Sequence, residues 1–496
     1  MSFQDIKSVE YSRVYHLDDG KTPARAVLEQ AVFDGPSSGW KRGWISAEHG
    51  FFEPSMGESL SALRRTPGFV WHQNCLRLPA LIKSGAVMAR IQEIPTYAAS
   101  TDRLPDLALN AADVALCTLA CTYSWSWRTA FPEKTWKIEE LPPNILGPWT
   151  VICERLGYPQ VGLSFNALCG GRWRVEDCTA WSYASHYCQT VENVSCFPSI
   201  FDSRAEHVFF GVIIETMACF NTALPALVAA QEAVVKDDPH AVAAEMVKVK
   251  HMLDCLVPIF HKISVNEENE DFYVDPIVWG KTVATLHSPI DPPNNTPGAS
   301  GLYVPMFHVL DEWFGRTRYD TPLGVEAKHL RSWYPPNWRD FIKAIGSPPH
   351  SVRDYAYRVE KRRREEGDSS SLPPLLSLYR SLLESYAGER GWLGTHRYKV
   401  FGFLELVFKA GRTATNGGTM ESTDRGWETV HTQLQNSRKE RFLGTKYVPE
   451  LPRGTAGECP FLATVTGVDP ICPDETRRTA LVRLNCKGSG MTYEPG

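Results

Sequence analysis

His396 is the residue whose type and setting first suggest chemistry. It lies in GWLGTHRYKVFGFLELVFKAGRTATNGGT, residues 391–419. Leu393, His396, Val400, Phe403, Leu404 and Val407 fall at helical spacing, so a helix puts the imidazole on its apolar stripe. A neutral imidazole is a good iron ligand, and a helix fixes its direction. The same placement suits an ordinary hydrogen-bonded core histidine, and the residues alone leave both open. Beside it, Thr415, Gly417, Gly418 and Thr419 form a loop whose backbone N–H groups could bind an anion or could be a plain connection.

Other chemistries find less support. The chain has no GxSxG, HExxH, Walker A or post-strand GxGxxG segment. Its 14 histidines include no HxH or HxxxH pair, so a two-histidine metal site on one helix is not expected. Thirteen cysteines are scattered without a CxxC pair, and several sit in apolar runs. Reduced thiols in an intracellular protein follow from that pattern. Cys459-Pro460 has the form of a haem-sensing pair, but a lone dipeptide arises easily by chance.

The elements around His396 are read from period. With 496 residues, 43% hydrophobic and 22% charged, the chain can bury a large core. A net charge of −5 argues against nucleic acid as a partner. No run reads as a membrane span and the first 20 residues lack a signal-like apolar core, so a cytoplasmic protein is expected. Helical period marks residues 78–94, 107–127, 205–235 with a kink before Pro225, 240–262, 302–315 and 372–387. ILGPWTVICERLG, from Ile145, reads as a short helix ended by Gly157. Residues 1–70 read as an arm with short helices, 174–203 as an irregular loop, and 445–496 as a surface tail. The fold class is mainly α. We divide it into a small N-terminal domain (1–160), a large all-helical domain (161–444) and a C-terminal extension (445–496).

Taken in order, several segments resemble the indoleamine 2,3-dioxygenase family. They are LPALIKSGAVMARIQEI, ALCTLACTYSW, LPPNILGPWTVICERLGYPQVGLSFNALCGGRW, FFGVIIE, FYVDPIVWGK, GASGLYVPMFHVLDEWFG, LRSWYPPNWRDFI, HRYKV and TATNGGT. The resemblance covers roughly residues 70–440. It implies haem b in the helical domain, with His396 as the iron ligand and Asp311 as an acid behind it. It further implies that Ser300 and Gly301 lie beside the O₂ site. Phe165, Phe209 and Phe272 would form an aromatic wall, with Leu168, Cys169 and Ile213 lining the pocket. Thr415, Gly417, Gly418 and Thr419 would form a lid. The implied activity is insertion of O₂ into the C2=C3 bond of an indole, by a monomer that needs no membrane. A monooxygenase or rearrangement enzyme of the same fold, or a non-catalytic haem sensor, are the alternatives.

One departure bears on the substrate. The family segment reads Arg-x-x-x-x-Gly, and counting back five from Gly280 puts Asp275 where the arginine would be. Without a bidentate arginine clamp, the sequence favours an indole lacking a free carboxylate.

Overall fold

Helices form wherever apolar residues recur every three to four positions, and their ends follow capping chemistry. The computed structural model describes residues 21–53, 56–176, 188–286, 288–291, 301–366, 372–409, 427–445, 464–470 and 480–485. In chain order the helices are α1 (Pro23–Ser38), α2 (Met56–Arg64), α3 (Phe69–Cys75), α4 (Leu78–Lys83), α5 (Val87–Gln92), α6 (Leu109–Ala130) and α7 (Pro143–Leu156). Then follow α8 (Arg204–Asn221), α9 (Leu224–Val235), α10 (Pro239–His261), α11 (Pro276–Trp279), α12 (Pro305–Trp313) and α13 (Pro322–Leu330). The last are α14 (Pro336–Ile345), α15 (Val352–Glu366), α16 (Leu375–Ala387), α17 (Trp392–Lys409) and α18 (Trp427–Thr445). The mainly helical class is as expected.

Several boundaries are those the residues predict. α7 ends at Gly157, which takes a left-handed conformation and caps the helix. The run from 205 to 235 divides at Thr222 and Ala223, just ahead of Pro225.

Other elements differ from expectation. The segment 78–94 is two short helices, because Gly85 turns the chain at φ +68° between them. The N-terminal arm contains α1, a full helix capped by the Thr22 side chain. The irregular loop carries a small antiparallel pair, β1 (Trp173–Val175) with β2 (Val194–Cys196). The tail carries another, β3 (Thr464–Pro470) with β4 (Ala480–Asn485). α18 was not anticipated at all.

Two stretches, Asp106–Ala130 and Arg204–Val235, are long and apolar enough to cross a membrane, contrary to expectation. Their most apolar windows are 89% and 72% buried inside the protein, so their hydropathy is spent on the core. That core is continuous from Ala24 to Phe408 and crosses residue 160 without a gap.

The helices that build the site are fixed by polar anchors at their ends. Ser203 caps α8 by accepting the Glu206 N–H at 3.3 Å. The Glu206 carboxylate pairs with buried Arg172 at 2.8 Å and accepts the Phe201 N–H at 2.8 Å. Farther along α8, Glu215 accepts from Val191 N and from Lys262 Nζ, each at 2.8 Å. These bonds hold one face of α8 against α10 and leave Phe209 and Ile213 free to line a space. At the start of α17, a Cβ on Gly394 would meet the Glu389 carbonyl at 2.2 Å, so only glycine lets the helix begin this close to the preceding turn.

Candidate active site

α17 turns its apolar stripe toward a cavity of about 250 Å³. Leu393, His396, Val400, Phe403 and Leu404 line it, and Val407 continues the stripe into the core. The other walls come from Phe209, Val212, Ile213 and Thr216 on α8, Phe260 on α10, and Trp279 on α11. Gly301, Leu302 and Phe307 close one side, and Ser437, Arg438 and Arg441 of α18 another.

Rings rather than hydrogen bonds orient His396. Trp392, one turn earlier, stacks on it at 5.2 Å and 14°. Phe260 leans on it at 4.9 Å. Neither ring nitrogen has a hydrogen-bond partner among the described residues. Burial first, and the Arg441 charge second, lower its pKa to about 4, so the imidazole is neutral at pH 7.

His308 provides a control within the same protein. It is buried and neutral too, its pKa lowered to about 3 by burial and the nearby Arg331 charge. Both of its nitrogens are used. Nε2 donates to the Leu302 carbonyl at 2.8 Å, and Nδ1 accepts from Arg331 Nε at 3.1 Å. His308 therefore holds the Leu302 turn in place beside the cavity.

Asp311 lies behind the cavity with its carboxylate fully engaged. It accepts from Arg441 at 2.7 and 3.1 Å, from Arg316 at 2.6 Å and from the Tyr386 hydroxyl at 2.9 Å. Burial alone would raise its pKa, but Arg441 and Arg316 outweigh burial and hold it at about 2. Its hydrogen bonds thus go to the arginines and the tyrosine. Its link to His396 runs through Arg441, whose charge acts on the imidazole. Glu440 ties the same helix to Arg316 and accepts the Thr321 hydroxyl at 2.8 Å. α18 is thereby bolted to the end of α12 and the start of α13.

The structure gathers only part of the set expected from sequence. His396, Phe209, Ile213 and Gly301 share the cavity. Phe165, Leu168 and Cys169 do not line it. They sit on a buried wide turn, Asn166–Gly170 with Phe165 just ahead, and the Phe165 ring packs toward Trp338 at 6.3 Å. Phe272 is half-buried in the loop before α11, under the Lys262 ammonium at 5.6 Å, and does not line the cavity either. The expected three-ring wall is instead Phe209, Phe260 and Trp279.

Asp275 also stays out of the cavity. Its carboxylate caps α11, accepting the Ile277 and Val278 N–H groups at 2.7 and 3.2 Å. Ser300, Thr415, Gly417, Gly418 and Thr419 lie outside the described residues, as does Cys459-Pro460.

Sequence reasoning missed Lys399, Arg438, Arg441, Trp279 and Trp392. Val430 and Leu434 stand four apart, but Ser437 and Arg441 continue that face with polar side chains, so the sequence carries only a weak apolar period over α18.

The residues present fit a haem. The cavity offers one neutral, unengaged imidazole on a rigid helix, apolar and aromatic walls, and cations at one side. No group of three or more His, Cys, Asp or Glu side chains that could hold a metal ion occurs among the described residues. Fold and cavity together define a mainly helical protein with a histidine on the wall of an apolar and aromatic cavity. A family model described as indoleamine 2,3-dioxygenase matches residues 42–387, well over half of the chain. The chain belongs to the indoleamine 2,3-dioxygenase family, whose members are haem-dependent enzymes acting on indoles with O₂. The matched stretch includes α8 to α16 and ends before α17, so it does not reach His396. No curated protein matches the chain.

Proposed function

We propose that this protein is a haem b dioxygenase that cleaves the C2=C3 bond of an indole. The observation that carries the reading is the contrast between His308, with both nitrogens engaged, and His396, with neither engaged and its ring on the cavity. Bound there, haem supplies the activation of O₂ that inserts both oxygen atoms and opens the indole to an N-formyl ketone.

The chain's own residues do the rest. His396 would hold the haem iron, its imidazole kept neutral by burial and aimed by Trp392 and Phe260. Arg441, anchored on Asp311, places a positive charge behind that ligand. Phe209, Trp279 and Ile213 orient the indole face and exclude water. This apolar wall holds no general base, which favours a route without proton abstraction by a side chain. Gly301, with no side chain, leaves room beside the O₂ position.

A preference for indoles without a carboxylate was expected from Asp275. That argument loses its footing, because the Asp275 carboxylate serves as a helix cap. We read the protein as a cytoplasmic monomer. The described cysteines are free thiols, five of them buried, which suits a reducing compartment.

The test is a spectrum of the purified ferrous protein with and without indoles, followed by turnover under labelled O₂. A Soret band that His396→Ala abolishes in a folded protein, and two labelled atoms in the product, are the expected results. One labelled atom would indicate a monooxygenase. A bound haem without turnover of any indole would indicate a sensor.

A further inference from the structure

The cavity is lined by three cations, and they are not equivalent. Arg441 is paired with Asp311 at 2.7 Å. Arg438 is paired with Glu389 and also donates to the Ala387 carbonyl at 2.8 Å. Lys399 has no carboxylate partner among the described residues. It projects one turn beyond His396, lines the same cavity, and donates to a single neutral acceptor, the Phe260 carbonyl, at 3.0 Å. An ammonium has three donors, so two remain unspent. His261 feels the same charge: burial first, and Lys399 second, lower its pKa, so it offers no counter-ion. A half-buried charge with no counter-ion is costly unless something brings one.

We propose that Lys399 is the carboxylate-binding residue of this cavity, taking a carboxylate from the bound ligand. Two sources carry that group, the carboxylate of an indole amino acid and a propionate of the haem. The inference rests on the reading that the cavity holds such ligands. It also moves anion recognition away from the position where the family places an arginine. There this chain has Asp275, used as a cap. A compact ammonium on a flexible stem would hold the carboxylate as a point charge, without bidentate geometry.

A purely structural role is the competing account. The Phe260 carbonyl belongs to the last turn of α10, and a cation there also stabilises the helix end. The experiment separates the cases with Lys399→Met and Lys399→Arg in the full-length protein. Calorimetry with L-tryptophan and with tryptamine reads the ligand arm whether or not haem is bound. Haem transfer to apomyoglobin, using haem and its dimethyl ester, reads the cofactor arm. If the ligand carboxylate is the partner, Lys399→Met weakens L-tryptophan about tenfold and leaves tryptamine unchanged. If a propionate is the partner, Lys399→Met speeds loss of haem about tenfold while loss of the ester is unchanged. Lys399→Arg restores part of either effect. A lower Tm with both arms unchanged would overturn the proposal and leave Lys399 as a helix-end contact. Absence of a Soret band in the parent protein would instead count against haem binding, and the calorimetric arm would still decide Lys399.

Discussion

α8, α10 and α11 give the cavity an apolar wall, made by Phe209, Val212, Ile213, Phe260 and Trp279. α17 and α18 give it a charged one, with His396, Lys399, Arg438 and Arg441. The first wall lies inside the family-matched stretch and the second lies beyond its end. They are stabilised by different physics. The apolar wall is an extension of the core and gains from area removed from water. The charged wall exists because each buried charge but one has its partner, and it fails when a partner is removed. The apolar wall can select a ring by shape. Of the two, the charged wall carries the side chains whose chemistry suits iron or an anion.

The largest break in this comparison is His396→Ala. It deletes the unengaged imidazole of the cavity, and we expect loss of haem-iron ligation while the far-ultraviolet circular dichroism stays helical. Free imidazole added to the variant should restore part of the Soret band, since the space left by the ring is bounded by Trp392 and Phe260. Retention of the native spectrum in His396→Ala would remove the histidine from the mechanism.

Arg441→Met comes next. It strips two hydrogen bonds from buried Asp311 and leaves only Arg316 and Tyr386 to hold the charge. Losing one partner of a buried ion pair costs about 3–5 kcal/mol, read by urea denaturation. The pH dependence has a definite sign. Asp311 has a depressed folded pKa, so its contribution is present above the unfolded value near 4 and is lost as pH falls toward about 2. Without Arg441 the folded pKa rises, so the acid unfolding limb should move to higher pH. Asp113 supplies the opposite case. It is buried with only the Trp149 and Ser164 donors, and burial raises its pKa to about 7. Its contribution is therefore lost progressively as pH rises from about 4 to about 7, and Asp113→Asn should flatten stability across that window.

On the apolar wall, Phe209→Ala should act mainly on the ligand. The ring meets Trp279 at 5.5 Å and is partly open to the cavity. Loss of one aromatic partner predicts weaker indole binding by about 1 kcal/mol, with haem retained. An equal loss of haem and indole would mean that the two walls are not separable.

Legibility in the sequence follows the same division. α6, α7, α8, α10 and α16 were readable because burial imposes a period on apolar residues, and His396 was readable as a member of such a stripe. The charged wall was mostly hidden. Arg441 meets Asp311 across 130 positions of sequence, and α18 has a polar surface that mutes its period. In the stretch read as an arm with short helices, α1 runs further than expected, with Pro36 accommodated inside the helix. Phe165 and Phe272 show the limit of resemblance, which supplies residue types but cannot say which way a ring turns once Trp338 or Lys262 claims it.

The smallest effect is expected at Asp275, and it is the one that separates a local from a ligand-directed carboxylate. As a cap it satisfies two N–H groups of α11. Asp275→Asn keeps an acceptor in place and should leave both stability and ligand binding near the parent values. Asp275→Ala removes the cap at a cost of about 1 kcal/mol, visible in Tm, with indole affinity unchanged. Asp275→Arg loses the same cap, so any gain in L-tryptophan binding would have to come from the new cation reaching the cavity. Calorimetry showing that gain would turn α11 toward the ligand after all and shift carboxylate recognition back from the charged wall to the apolar one. Equal L-tryptophan binding in Asp275→Ala and Asp275→Arg keeps it with Lys399.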